Sequence, residues 1–330
     1  MTDPEICAAV RQHYGLAVRA VERIDRGSAA LFKLYGSEAA FILKVFQPKF
    51  RADSILREVH VTDFLRQNGI SVPEYIPCRN GDFYFMQNGR IAILQAFIPG
   101  QTREKGCCSK RELLDSARLL AQIVNALEHY PYDDLLPCEI SRYGSAARLL
   151  QAKAACADLM AAAHADAVHG AEICRDLQDR LVMIARVSDA GAFVNTNALT
   201  LKRSHGDYSV MQLLYDGSEI KAVLDFVNAG EVPIAWELIR SYSYMDCTFN
   251  AARLAAYTNE YRRYAEVSMD DLRYMPYLYL GQLLSSTYGY KQYLQTGDEE
   301  LLAFGRWRTE MCRYLIANAG EVSAELVRLA

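Results

Sequence analysis

Short apolar runs bounded by turn residues dominate the first hundred residues of the chain. Asn80-Gly81 and Asn88-Gly89 separate three of these runs, and Gly36-Ser37 lies between two earlier ones. Asn-Gly between apolar runs is a strong short-range signal of a β-hairpin, because both residues tolerate positive φ. Residues 54–67 instead place apolar side chains at helical spacing. The pattern predicts a five-stranded antiparallel sheet with one inserted helix.

A helical pattern begins after Pro99-Gly100. Alanines and leucines recur at helical spacing over residues 110–128 and 141–187, with breaks expected near residues 164–170, and residues 251–317 add further helices. The exceptions are strand-like stretches at residues 199–207, 212–216 and 220–227. We therefore predict an α+β protein with two lobes, a sheet-containing lobe of residues 1–98 and a mainly helical lobe of residues 99–330.

The composition is that of an ordinary soluble globular protein. Hydrophobic residues make up 51% of the 330 positions, charged residues 23%, and the net charge is -4. No basic footprint is present, so we expect neither nucleic acid nor a membrane as a partner. The N-terminal sequence MTDPEICAAV does not resemble a secretory signal, and the nine cysteines include no CxxC motif. These features predict a cytoplasmic protein with reduced cysteines.

Residues 205–215, with the sequence HGDYSVMQLLY, contain the most informative motif. Asp207 lies on a short loop, Gln212 follows five residues later, and Asp225 ends an apolar strand. Phosphoryl transfer needs one carboxylate for the proton of the acceptor hydroxyl, and oxygen ligands that hold a divalent cation against the phosphates. The three residues offer this set in order, which favours a kinase. Either aspartate taken singly is also explained as a turn residue, and His205 is better explained as a loop-bracing residue than as a base.

Lys44 lies inside the apolar run FILKVF. A charge in such a strand is costly unless it is paired or its end reaches solvent. One interpretation is a lysine that holds nucleotide phosphates, and the other is an edge-strand lysine that extends to solvent. Glu58, on the following predicted helix, is placed to pair with Lys44, and this pairing favours the first interpretation.

Other nucleotide contacts have weaker signals. Gly27 and Ser28 lie between two predicted strands, where their backbone N–H groups suit a phosphate, although an ordinary hairpin turn explains the segment equally well. Gln95 and Phe97 precede the break at Pro99-Gly100, where an adenine would be expected to contact the backbone. We treat these four residues as candidate nucleotide contacts.

Together these residues resemble the aminoglycoside phosphotransferase and choline kinase superfamily of protein-kinase-like small-molecule kinases, nearest to its homoserine-kinase-type and spore-coat-associated members. The resemblance implies a bilobal protein-kinase-like fold. It also implies that Lys44 contacts ATP phosphates, that Glu58 pairs with Lys44, and that Asp207 is the catalytic base. Gln212 and Asp225 would bind Mg²⁺. The protein would then move the γ-phosphate of ATP to a hydroxyl of a sugar, amino sugar, amino alcohol or hydroxy-amino acid.

Two positions depart from the family pattern. Gln212 stands where the family usually has Asn, so the amide oxygen lies one methylene further from the backbone. Glu237 follows Trp236 where the family often has Asp. A weakened metal site would be compatible with a different class of protein, a nucleotide-binding pseudokinase or scaffold, and this alternative stays open.

The resemblance also places the acceptor in a cleft walled by C-terminal helices. The candidate residues there are acidic or aromatic, and they are Tyr244, Asp246, Glu260, Tyr261 and Trp307. Carboxylates and aromatic rings attract cations, so this composition suits an acceptor that carries an amine as well as a hydroxyl. Core packing of the aromatic residues and solvation of the acidic ones is the alternative.

Overall fold

The chain divides into two compact units. The structure is a computed structural model that describes residues 2–24, 29–189 and 194–330. Unit 1 contains Met1–Leu136, Arg203–Glu231 and Tyr244–Cys247, and unit 2 contains Pro137–Lys202, Val232–Ser243 and Thr248–Ala330. The chain therefore passes between the units more than once. The two lobes 1–98 and 99–330 stay a prediction.

An antiparallel sheet dominates unit 1. Its strands are β1 (Ala20–Ile24), β2 (Ala30–Tyr35), β3 (Ala40–Val45), β4 (Tyr75–Ile76), β5 (Tyr84–Gln87) and β6 (Arg90–Ala96). They are hydrogen-bonded in the order β1-β2-β3-β6-β4, with β5 also pairing with β6. The predicted antiparallel arrangement is confirmed, with six strands where five are predicted. The short strand β4 is one of the six, and it pairs with Gln95 and Leu94 of β6.

Three helices belong to this unit, α1 (Asp3–Tyr14), α2 (Ala52–Gln67) and α3 (Lys110–Glu128). α2 and α3 confirm the predicted helices at 54–67 and 110–128. α3 begins at a capping box, in which the Ser109 side chain accepts from the N–H of Glu112 and the Glu112 carboxylate accepts from the N–H of Ser109. Ile55 and Val59 of α2 pack into a buried cluster with Ile93 of β6. This packing fixes α2 against the sheet.

A second sheet follows later in the chain. The remaining strands are β7 (Gln101–Thr102), β8 (Leu201–Ser204), β9 (Leu213–Asp216), β10 (Glu219–Val223) and β11 (Gly230–Pro233). Three of them form a sheet in the order β10-β9-β7. The strands predicted near residues 199–207, 212–216 and 220–227 are therefore present. β9 begins directly after Gln212 and β10 ends shortly before Asp225, so the hairpin brings both residues to one end.

Unit 2 is mainly helical. Its helices are α4 (Ala146–Ala163), α5 (Gly170–Asp189), the larger part of α6 (Ile234–Met245), α7 (Ala251–Arg262), α8 (Met269–Leu284), α9 (Tyr288–Thr296) and α10 (Glu299–Arg328). The predicted break near residues 164–170 is present between α4 and α5. Cys156, Ile173, Tyr290 and Leu302 are buried together, so α4, α5, α9 and α10 share a core. Across the described ranges, no helix is long and apolar enough to cross a membrane.

Candidate active site

A buried lysine between two carboxylates forms the centre of the candidate site in unit 1. Nζ of Lys44, on β3, lies 3.1 Å from Oε1 and 3.3 Å from Oε2 of Glu58. The same Nζ donates to Oδ1 of Asp225 at 2.9 Å. The Glu58 side chain is completely buried, whereas 31% of the Asp225 side chain is exposed. The expected contact of Lys44 with Glu58 is present, and Asp225 is a second partner.

One ammonium group therefore faces two carboxylates. Burial lowers the pKa of Lys44, but the charges of Glu58 and Asp225 overcome this effect and hold its pKa above the ordinary value. Burial raises the pKa of Glu58, the attraction of Lys44 opposes that rise, and the repulsion of Asp225 adds to it. A single ammonium cannot neutralise two ionised carboxylates, so negative charge remains beside the partly exposed Asp225. This charge distribution suits a second cation.

The loop that carries Asp225 has an unusual backbone. Asp225 adopts φ +66°, in the left-handed region that residues other than glycine rarely occupy. The preceding residue, Leu224, donates its N–H to the carbonyl of Gln212 at 2.8 Å. Its carbonyl accepts a hydrogen bond from Nε2 of His205, also at 2.8 Å. These two bonds hold the Asp225 loop against the segment that contains Asp207 and Gln212.

The sequence His205-Gly206-Asp207 is explained by this contact between loops. Nδ1 of His205 accepts from the N–H of Asp207 at 3.3 Å, while Nε2 donates to the carbonyl of Leu224, which fixes the ring tautomer. Gly206 has φ +75°, and a Cβ there would lie 2.1 Å from the carbonyl oxygen of Asn228. His205 and Gly206 therefore shape the loop, and His205 has the bracing position expected of it. Asp207 is half-buried, and its role as the base stays a prediction.

Gln212 and Asp225 are the residues that could hold a metal ion. Register pairing of Leu213 with Val223 brings the two loop ends together. Gln212 is half-exposed, and its amide has no hydrogen-bond partner within the described part of the chain. Across the described part of the chain, no group of three or more His, Cys, Asp or Glu side chains could hold a metal ion. Mg²⁺ in kinase sites is typically held by one or two carboxylates plus phosphates, and an amide and a carboxylate oxygen fit that requirement.

Two further residues support this arrangement, and sequence reasoning missed both. Arg57 is buried and donates to the carbonyls of Asp134 and Val227, each at 3.2 Å, so it ties α2 to the loop after Asp225. Tyr75 donates its hydroxyl to Oε1 of Glu58 at 2.7 Å. Arg57 resembles any polar residue of an amphipathic helix, and Tyr75 lies in an apolar run. Neither residue has a local sequence signal for its partner.

The predicted nucleotide contacts are only partly described. Gly27 and Ser28 lie outside the described residues. Gln95 is half-buried on β6, and the N–H of Phe97 donates to the carbonyl of Ala40 at 3.0 Å. The N–H of Phe97 is therefore already used within unit 1, so any contact of Phe97 with adenine needs its ring or its carbonyl. Both residues stay candidate contacts.

Two of the predicted acceptor residues belong to unit 1. Tyr244 and Asp246 lie at the end of α6 and directly after it, and both are buried. The carbonyl of Tyr244 accepts from the N–H of Gly106 at 2.9 Å. A buried carboxylate such as Asp246 is costly unless it has polar partners or a cationic ligand. Its role toward an acceptor stays a prediction.

The other three acceptor candidates belong to unit 2. Tyr261 is completely buried, and Trp307 packs against Phe304 with ring centroids 5.7 Å apart. Glu260 accepts from Nη1 of Arg263 at 3.0 Å. Helix packing alone explains these contacts, and a role of the three residues toward an acceptor stays a prediction.

Comparison with solved structures identifies the class of fold. A spectinomycin phosphotransferase in complex with ADP and spectinomycin aligns with a TM-score of 0.69 at 11% identity, over 100% of this chain and 99% of that chain. An amicoumacin kinase in complex with AMP-PNP and Ca²⁺ aligns with a TM-score of 0.66 at 13% identity, over 95% and 94%. A microcompartment-associated aminopropanol kinase aligns with a TM-score of 0.64 at 15% identity, over 99% of this chain and 100% of that chain. The predicted α+β kinase-like fold is confirmed.

The sequence itself identifies the family. Residues 20–267 match the family described as APH, a phosphotransferase enzyme family. The chain therefore belongs to the APH phosphotransferase family, and the predicted superfamily is confirmed. The protein is therefore an enzyme of a phosphotransferase family. A search of the curated proteins found no match to this chain.

Proposed function

We propose that the protein transfers the γ-phosphate of ATP to a hydroxyl of a small metabolite, with Mg²⁺ as the metal ion. The observation that carries this proposal is the cluster of Lys44, the completely buried Glu58 and the partly exposed Asp225. Its spare negative charge suits a metal ion, and its ammonium suits phosphate oxygens. The acceptor is a sugar, amino sugar, amino alcohol or hydroxy-amino acid.

Each residue has a distinct role in this proposal. Lys44 would bind the phosphates of ATP, Glu58 would keep the Lys44 ammonium in place, and Asp225 would hold the metal ion. Gln212 adds an amide oxygen to the metal ligands. When bound, the Mg²⁺ ion neutralises charge on the phosphates. Asp207 orients the acceptor hydroxyl and takes its proton as the oxygen attacks phosphorus.

An acceptor that carries an amine is favoured by two considerations. The candidate acceptor residues Asp246 and Glu260 are carboxylates, which pair with ammonium groups. The structurally similar aminopropanol kinase is named for a substrate that carries both an amine and a hydroxyl. We therefore propose amino alcohols and amino sugars as the first acceptors to test.

Acceptor-dependent ADP release tests the proposal. The panel would contain matched pairs with and without an amine, such as aminopropanol with propanediol, and glucosamine with glucose. Asp207→Asn should lower kcat by about 10²- to 10⁴-fold, the usual contribution of a general base, and leave ATP affinity nearly unchanged. Asp216→Asn is the matched control, since Asp216 is exposed at the end of β9.

Two results would contradict the proposal. If Asp207→Asn kept more than about a tenth of the wild-type turnover, Asp207 would not be the base. If the wild type bound ATP and Mg²⁺ but released no ADP with any acceptor, the nucleotide-binding pseudokinase would replace the kinase.

A further inference from the structure

The carboxylate of Glu58 has a hydrogen-bond donor besides Lys44. The hydroxyl of Tyr75 donates to Oε1 at 2.7 Å, a shorter contact than either of those from Nζ of Lys44, at 3.1 and 3.3 Å. Glu58 is completely buried, and only 7% of Tyr75 is exposed. A hydrogen bond to an ionised, buried acceptor is about twice as strong as one between neutral groups. The orientation of Glu58 is therefore determined by Tyr75 as well as by its salt bridge.

The Tyr75 side chain has fewer rotatable bonds than the Lys44 side chain. It lies on β4, in register with Gln95 of β6, so its backbone is part of the sheet. Its ring is buried in the cluster that also contains Phe46, Val59 and Ile93. Lys44 reaches Glu58 through a flexible four-carbon chain. The Tyr75 hydroxyl therefore restricts the orientation of the Glu58 carboxylate, and this orientation determines where the carboxylate can accept from Lys44.

The second partner of Lys44 makes this orientation important. Asp225 shares the Lys44 ammonium, and it is the residue proposed to hold the metal ion. An Asp225 carboxylate that is bound to a cation attracts the ammonium less, so Glu58 becomes the main anchor of Lys44. Lys44, Asp225 and Tyr75 are the titratable groups that act on Glu58.

We propose that Tyr75 is a positioning residue for the phosphate-binding lysine: its hydroxyl orients Glu58, and Glu58 holds Lys44 where the phosphates of the nucleotide bind. The inference rests on the proposed function of the site. It predicts a specific defect, because Lys44 contacts the phosphates and not the nucleoside. Loss of the Tyr75 hydroxyl should therefore lower the affinity for ligands that carry phosphates, and should leave the affinity for a nucleoside without phosphates unchanged.

The test compares the affinities of ATP and adenosine for the full chain by calorimetry. Tyr75→Phe keeps the ring and its packing and removes the donor. We expect its ATP affinity to fall about tenfold, the effect of roughly one hydrogen bond to a charged group, and its adenosine affinity to stay within about twofold. Tyr84→Phe is the matched control, because Tyr84 packs against the same cluster and makes no hydrogen bond through its hydroxyl within the described residues.

The same substitution in a Glu58→Gln protein separates a role of Tyr75 in orienting Glu58 from a general effect on stability. In a Glu58→Gln protein, Tyr75→Phe should cause little further loss of ATP affinity, since the acceptor of the hydroxyl is already altered. The ratio of the two affinities stays informative even if the variant is partly unfolded, because unfolding lowers both apparent affinities by the same factor.

Distinct results overturn the inference and the function on which it rests. If the wild type binds ATP no more tightly than adenosine, the phosphate-binding role of Lys44 fails, and the inference fails with it. If the wild type prefers ATP and Tyr75→Phe keeps the same ratio, only the role of Tyr75 is overturned. A full tenfold loss that persists in the Glu58→Gln background would also overturn it.

Discussion

Each unit contains a cation with little exposure to solvent, Lys44 in unit 1 and Arg180 in unit 2, and the two differ in what surrounds them. In unit 1, Lys44 is shared by the carboxylates of Glu58 and Asp225. In unit 2, Nη2 of Arg180 donates to the carbonyls of Leu283 at 2.6 Å and Ser286 at 2.8 Å.

The difference teaches how to distinguish a structural buried charge from a functional one. Arg180 donates to neutral carbonyls at and after the end of α8. The partial negative charge of the helix dipole at that end also favours a cation. Lys44 leaves negative charge uncompensated beside Asp225, and that imbalance can be relieved by a bound metal ion. We therefore expect Arg180 to stabilise the fold and Lys44 to bind a ligand.

The largest expected effect is on stability, at Arg180. Arg180→Met removes the guanidinium donors to the carbonyls of Leu283, Leu284 and Ser286, at about 1–3 kcal/mol for each carbonyl left without a partner. We expect the free energy of unfolding to fall by about 3 kcal/mol or more and the unfolding temperature to be clearly lower. The ATP affinity of the folded fraction should be unchanged. Calorimetry and nucleotide titration measure both quantities.

Arg313 provides the control for this substitution. It pairs with Asp176 and Asp179, and 32% of its side chain is exposed. A pair that is about a third exposed is largely screened by solvent, so Arg313→Met should cost about 1 kcal/mol or less. Equal losses for Arg180→Met and Arg313→Met would contradict the structural role of Arg180.

The next effect is on nucleotide binding, at Lys44. If Lys44 binds the phosphates as proposed, Lys44→Met removes a charge-assisted contact that is typically worth about 1.5–3 kcal/mol, so ATP affinity should fall about 10- to 100-fold. Lys221→Met is the control, since Lys221 pairs with Glu219 on the surface hairpin. If Lys44→Met lost stability but kept its ATP affinity, both cations would be structural.

A smaller change is expected at Gln212. Gln212→Asn restores the usual family residue, so kcat should be kept within about threefold or should rise if the amide binds the metal ion. Gln212→Ala should raise the Mg²⁺ concentration that gives half-maximal activity. An unchanged Mg²⁺ dependence in the alanine variant would remove Gln212 from the metal ligands.

The smallest effect is expected in the labelling of two adjacent cysteines. It tests the principle behind the comparison of Lys44 and Arg180, that burial suppresses ionisation unless a nearby opposite charge offsets it. Burial raises the pKa of the Cys108 thiol to about 11, while the adjacent Cys107 is exposed. A raised pKa means that the thiolate of Cys108 is rare at pH 7.5, roughly a thousandth of the total or less. Iodoacetamide should therefore label Cys107 and spare Cys108, as read by tandem mass spectrometry. Equal labelling would contradict the burial of Cys108.

Much of the fold and part of the site could be predicted from the sequence. Asn-Gly turns and helical spacing predicted the antiparallel sheet and α2, because these signals are local. The approach of Lys44 to Glu58 could be anticipated because both lie on adjacent elements. The roles of Asp207 and Gln212 in catalysis stay predictions.

The contacts that the sequence did not reveal are long-range. Tyr75 reaches Glu58 because β4 pairs with β6, and Arg57 reaches Val227 because α2 packs on the loop after Asp225. A short strand such as β4 has too few residues for a periodic signal.

The central claim, that Asp225 and the neighbouring cluster bind a metal–nucleotide complex, is tested most directly by thermal-shift titration with ATP, with and without Mg²⁺. The wild type should be stabilised by ATP with Mg²⁺, by about 2.7 kcal/mol at a hundredfold excess over Kd, and much less without the metal ion. Asp225→Ala should lose the magnesium-dependent part of this stabilisation. Equal stabilisation of the wild type and Asp225→Ala, or no stabilisation of either, would contradict the account.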